Sequence, residues 1–99
     1  MTSKQRAYLK GIASTYESIL QIGKGSITPE ICEATREALA ARELIKVNVL
    51  KNCADDPGAV AHLLAERTGA QVVQVIGRKI VLFKQNAKKE DRKIILPVK

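Results

Sequence analysis

Twice in this chain an apolar run is followed closely by a helix cap and a proline. Ile19-Leu20-Gln21-Ile22 leads to Thr28-Pro29-Glu30, and Leu44–Leu50 leads to Asp55-Asp56-Pro57. Threonine or aspartate at a cap accepts an N–H that the first helical turn leaves unbonded. Proline suits the position after it, because its missing N–H has no partner there anyway. Each pair therefore marks a strand that hands the chain to a helix. The second run also alternates, with Ile45, Val47 and Val49 on one side and Lys46 and Asn48 on the other, as a strand requires. Strands joined through helices favour parallel pairing.

The remaining segments fit the same plan. Thr2-Ser3-Lys4-Gln5 has capping-box spacing, and Tyr8, Leu9, Ile12, Ala13 and Tyr16 recur at helical intervals. A first helix is predicted over about Ser3 to Ala13, with Lys4, Arg6 and Lys10 on its exposed face. The second helix carries Ile31, Ala34, Ala38, Leu39 and Ala41 on its apolar side and Glu30, Glu33 and Glu37 on its polar face. Gly69 is placed to stop the third helix. Gln71 to Ile76 reads as a strand, Gly77-Arg78 as a two-residue type II′ turn, and Lys79 to Lys84 as the returning strand. The expected order is α-β-α-β-α-β-β. The expected fold is a mixed α/β (α+β) domain over residues 1–97, with a four-stranded sheet and three helices. Residues 85–99 read as a basic tail, although Ile94-Ile95-Leu96 offers an apolar stretch able to dock.

Charge narrows the function. The chain of 99 residues has a net charge of +7, and that charge is segregated. Residues 1–29 carry a net +3, residues 30–75 a net −2 and residues 76–99 a net +6. Two basic ends around an acidic middle point to one polyanion-facing side rather than to general solubility. No apolar run approaches the roughly 20 residues that span a bilayer, and Met1 to Lys10 is polar and helix-like rather than a secretory leader. The two cysteines, Cys32 and Cys53, lie far apart without a partner motif and read as reduced thiols. A cytoplasmic location is the expectation, with no membrane partner.

Between the first strand and the second helix lies Gly23-Lys24-Gly25-Ser26. A strand that ends in such a loop and opens into a helix points backbone N–H groups at one spot, at the positive end of the helix dipole. Lys24 adds a mobile charge, so the loop suits a phosphate. The alternative is an ordinary turn in which glycine supplies a positive φ. The Gly-Lys-Ser/Thr spacing of a P-loop is missing, so nucleotide hydrolysis is not implied.

Four motifs in order resemble one family. They are Thr2-Ser3-Lys4-Gln5-Arg6-Ala7-Tyr8-Leu9, Ile22-Gly23-Lys24-Gly25, Glu43-Leu44-Ile45-Lys46-Val47 and Val75-Ile76-Gly77-Arg78-Lys79-Ile80-Val81-Leu82. Together they look like the YhbY-type CRM (chloroplast RNA splicing and ribosome maturation) domain, a stand-alone protein in bacteria. The resemblance covers about residues 2–97. It implies RNA binding, association with precursors of the large ribosomal subunit, and a fold similar to the C-terminal domain of translation initiation factor three. The family's GxxG element is compared with the backbone-clamping loop of KH domains. Carried over, it falls on Gly23, Lys24, Gly25 and Ser26, with serine where the pattern has glycine. The Ser26 hydroxyl is then a potential phosphate donor.

The expected RNA-binding set is Gly23, Lys24, Gly25 and Ser26, with Lys4, Arg6, Lys10, Lys46, Arg78 and Lys79 as the wider basic surface. The partners it implies are ribosomal RNA and pre-large-subunit particles. The tail lysines Lys88, Lys89 and Lys93 read as mobile charge. Tyr8, Tyr16 and Phe83 are the chain's aromatic residues, and core packing is the default for all three, so binding is expected to be led by backbone and shape. His62 stands alone, and Asp55-Asp56 is better explained by capping than by catalysis. No enzyme activity, cofactor, metal site or small-molecule substrate is expected, and a monomer is the simplest state. The alternative is a protein-interaction module whose acidic second helix docks a basic partner.

Overall fold

Both cap-and-proline pairs start helices. The structure, a computed structural model, describes residues 1–97. Its elements are α1 (Ser3–Ala13), β1 (Leu20–Ile22), α2 (Pro29–Arg42), β2 (Leu44–Val49), α3 (Pro57–Thr68), β3 (Gln71–Ile76) and β4 (Lys79–Phe83), followed by a 3-10 turn at Lys89–Asp91. Thr2 and Gln5 form the capping box of α1. The Thr28 hydroxyl accepts the N–H of Ile31, and the Asp56 carboxylate accepts those of Gly58 and Ala59. Gly69 ends α3 in the left-handed conformation, at φ 76°.

The sheet order is β1-β2-β4-β3. β1 and β2 pair in parallel, whereas β4 is antiparallel to both β2 and β3. The β3–β4 register slips between Val72 and Gln74, so Val73 forms a bulge. One face packs against α2 and α3, burying Ile45, Val47, Val49, Ile80 and Leu82 with Leu39, Val60 and Leu64. The other packs Leu44, Val73, Val81 and Phe83 against Leu9 and Ala13 of α1. Cys32 and Cys53 are both free and buried.

Two expectations need correction. Phe83 is buried, but Tyr8 and Tyr16 are 44% and 37% exposed. The buried stripe of α1 is only Leu9 and Ala13, one turn apart, and Tyr8 is about 100° off it. Tyr16 lies beyond the helix end altogether.

The stretch after β4 is docked in part, through two of the three apolar residues 94–96. Ile94 is buried and Leu96 half-buried in the α1-side core, while Ile95 between them is 86% exposed. Glu43 holds the return path. It is fully buried, and its carboxylate accepts the backbone N–H groups of Asn86 (2.7 Å), Lys93 (2.6 Å) and Ile94 (2.9 Å). Burial alone would raise its pKa. The three N–H donors and the charge of Arg92 outweigh burial and hold it below the ordinary carboxylate value. Residues 98 and 99 of the expected tail lie outside the described residues.

Candidate nucleic-acid interface

The topology gathers three connections at one end of the sheet. β1 and β2 both finish there, β4 begins there and β3 stops there. The loop 23–26, the turn 50–55 and the hairpin Gly77-Arg78 therefore meet. The Leu50 N–H donates to the Ile22 carbonyl (2.8 Å), and the Val49 N–H to that of Arg78 (2.8 Å). The Arg78 guanidinium donates to the Leu50 carbonyl at 3.2 Å. α2 and α3 also start at this end; α2 is capped by the neutral Thr28 and presents its positive dipole end there, whereas the Asp56 carboxylate already caps α3. Lys24, Lys51, Arg78 and Lys79 are exposed around it.

The loop itself closes as a turn, with the Ser26 N–H donating to the Gly23 carbonyl at 2.9 Å. The positive φ, 53°, falls on Ser26 and on neither loop glycine. The loop is thus a turn whose positive φ is supplied by serine instead of by glycine, and this gives a physical reason for a glycine at position 26 in the GxxG pattern. A Cβ on Gly23 would lie 3.4 Å from Leu50 Cδ1 and 3.5 Å from Asn52 Oδ1, both ordinary contacts. What Gly23 and Gly25 supply is a backbone bare of side chains. The Ser26 hydroxyl donates to Asp55 Oδ2 at 2.5 Å. It is thus already committed to a carboxylate, rather than free for a phosphate.

The sheet face on the α1 side continues the basic surface. α1 covers the part of the face near Leu44, Val73 and Phe83 and leaves the loop end open. Cross-strand neighbours Gln21, Asn48, Lys79 and Ile76 form a row on that open part. Ile76 is 59% exposed. Lys46 stands on the same face, partly exposed and next to Val81. Glu30 and Asp56 belong to the starts of helices on the opposite layer, so the open face keeps its positive character, with Asp55 near the loop and Glu17 near Lys46 as exceptions.

The first helix contributes less than the sequence suggests. Arg6 is half-buried, and its guanidinium donates to the carbonyls of Val72 (2.6 Å) and Val73 (3.0 Å) at the bulge. It braces the β3 edge instead of facing solvent. Gln5 Nε2 donates to the Pro97 carbonyl at 2.9 Å, which places the start of α1, and Lys4 with it, at the sheet end opposite the loop. Lys10 is exposed in the last turn of α1, on the same layer as Lys46. Three residues of the candidate surface escape sequence reasoning. Lys51 was masked by the net-acidic middle of the chain, although it directly follows the clearest strand. Gln21 and Asn48 carry no charge and become noticeable only when the register sets them side by side.

Comparison with known proteins bears on the family and the fold. The CRS1 / YhbY (CRM) domain model matches residues 1–84. A Bacillus subtilis protein named "Probable RNA-binding protein YqeI" is 43% identical over 97 residues, covering 98% of this chain and 99% of the relative. A Haemophilus influenzae protein named "RNA-binding protein" is 30% identical over 99 residues, covering 100% of this chain and 97% of its own length. A Staphylococcus aureus protein with a solution structure superposes with a TM-score of 0.81 at 40% identity, covering 98% of this chain and 99% of that one. Both the fold and the sequence of the chain therefore place it in the CRS1/YhbY (CRM) domain family.

Proposed function

We propose that this protein binds ribosomal RNA, without catalysis, during assembly of the large ribosomal subunit. The observation that carries the reading is the convergence of Lys24, Lys51, Arg78 and Lys79 around a bare backbone loop at the N-terminus of α2. Phosphates would lie on the loop amides and on these cations, and the chain would continue over the open sheet face past Asn48 and Lys46. Backbone contacts of this kind supply affinity and register, not sequence. RNA as the partner is further supported by the names of the Bacillus and Haemophilus relatives. The ribosomal assignment is supported by the likeness of the four motifs to the CRM pattern. A cytoplasmic monomer fits this role. Among the described residues no helix is long and apolar enough to cross a membrane.

Crosslinking the protein to RNA in cells and sequencing the attached RNA tests the reading. Enrichment of large-subunit ribosomal RNA and co-sedimentation with its precursor particles are expected. Crosslinks spread over messenger and transfer RNA in proportion to abundance would overturn the ribosomal assignment.

A further inference from the structure

At the start of β2, where the link from α1 runs alongside it, lies a groove of about 370 Å³ that shares only Lys46 with the expected RNA-binding set. It is lined by Tyr16, Glu17, Ile19, Arg42 and the β2 residues Leu44, Ile45 and Lys46, with Ile19 as its exposed aliphatic side chain. The volume falls within the usual range of small-ligand sites. Tyr16 is held in place rather than loose. Its N–H donates to the Ala13 carbonyl at 3.0 Å, and three residues later the Ile19 N–H donates to the Lys46 carbonyl at 3.0 Å. The short link between α1 and β1 is thereby pinned at both ends, with the ring left 37% exposed. Among the described residues the one ion pair is Glu33–Arg36, so neither Arg42 nor Lys46 is tied to a carboxylate.

We infer that this groove holds one unstacked RNA base against the Tyr16 ring, with Arg42 and Lys46 on the flanking phosphates. The inference rests on the RNA-binding reading above and adds to it a preference for single-stranded RNA. An aromatic ring with the exposed Ile19 side chain in the same groove suits a base of any sequence, because every base has a π-face. Two cations against one carboxylate, Glu17, favour an anionic ligand over a neutral one. Tyr16 also restores the stacking surface that burial of all three aromatics would have removed. Lys46 stands on the same sheet face as Asn48, two residues along β2, and so joins the groove to the row that ends at the loop.

The experiment compares parent, Tyr16→Ala and Tyr16→Phe on two probes at one salt concentration. The probes are an unstructured RNA of roughly twelve nucleotides and a fully paired RNA duplex. The alanine variant is expected to lose roughly ten-fold or more in affinity for the single strand and to keep its affinity for the duplex. The phenylalanine variant is expected to bind both as the parent does. Thermal melts check that both variants fold; the phenylalanine variant keeps the ring and its packing. Equal losses on both probes, or unchanged binding to the single strand, overturn the base-stacking site and leave the groove to another occupant such as a protein side chain. If the parent binds neither RNA, the RNA-binding reading itself fails, which is a separate result.

Discussion

The Ser26 hydroxyl and the Asp55 carboxylate, 2.5 Å apart, tie the loop after β1 to the turn before α3. Ser26 makes this contact from a left-handed backbone, at φ 53°, where a side chain is strained. Substitution here acts on two opposing terms. Ser26→Ala keeps the strain and loses the hydrogen bond, so it is expected to cost about 1 kcal/mol of stability. Ser26→Gly loses the bond but relieves the strain, so its melting temperature is expected to stay near the parent's. Thermal melts of the two variants check this; an alanine variant as stable as the parent would show that the bond contributes nothing.

Lys24→Glu and Lys51→Glu are both expected to weaken RNA binding at matched salt by more than Lys89→Glu does. The first two place a negative charge among converging cations near the α2 N-terminus, and the third lies on the exposed 3-10 turn after β4. All three residues are exposed, so melts are expected to change little. Equal affinities for the three variants would remove the sheet end as the binding surface.

Contact with about four to six phosphates predicts a slope of roughly −3 to −5 in log affinity against log salt. Filter binding across a salt series measures it. A slope near zero contradicts a backbone-led interface.

Arg6→Ala is expected to act on stability rather than on binding. It frees the carbonyls of Val72 and Val73 from a charged donor, at a cost of about 1–3 kcal/mol. Affinity of the folded fraction is expected to match the parent's at equal salt. A loss of RNA affinity as large as that of Lys24→Glu, with an unchanged melt, would return Arg6 to the binding surface.

Glu43 gives the fold an acid limit. Its pKa is lowered by folding, so it contributes stability above the unfolded value, about 4.3, and that contribution fades as pH falls through the folded value. Denaturant midpoints are expected to drop below about pH 4.5 in the parent and to drop less in Glu43→Gln. At neutral pH Glu43→Gln is expected to be less stable by about 2–4 kcal/mol, because an amide NH₂ meets N–H donors where a carboxylate oxygen accepted them.

Local signals made most of the architecture legible. Caps at Thr2, Thr28 and Asp56, the stop at Gly69 and the turn at Gly77 depend on a few neighbouring residues, and they set the element order. Contacts between distant residues were not legible in the same way. Nothing local to Arg6 announces two carbonyls 66 and 67 residues away. Position 43 looks like a surface glutamate at a helix end until residues 86–94 close over it. The loop was found from its glycines, yet its strained residue is the serine. Lys51 joined the site through topology, since only the strand directions bring the turn after β2 beside the loop after β1.

The position of β4 has a consequence for how the chain is made. β2 and β3 touch only through it, although it is the last strand in sequence. A nascent chain that has emerged as far as residue 78 holds β1 and β2, which pair with each other, and β3, which has no partner, so one edge of β2 and both edges of β3 stay open. Pairing Leu44 with Phe83 closes a long stretch of chain in one step, which slows folding relative to a helical bundle of equal size. Only after that step can residues 86–94 reach the Glu43 carboxylate. Folding therefore comes late in synthesis, and a chain cut before Lys79 is expected to expose sticky edges rather than to fold as a smaller domain.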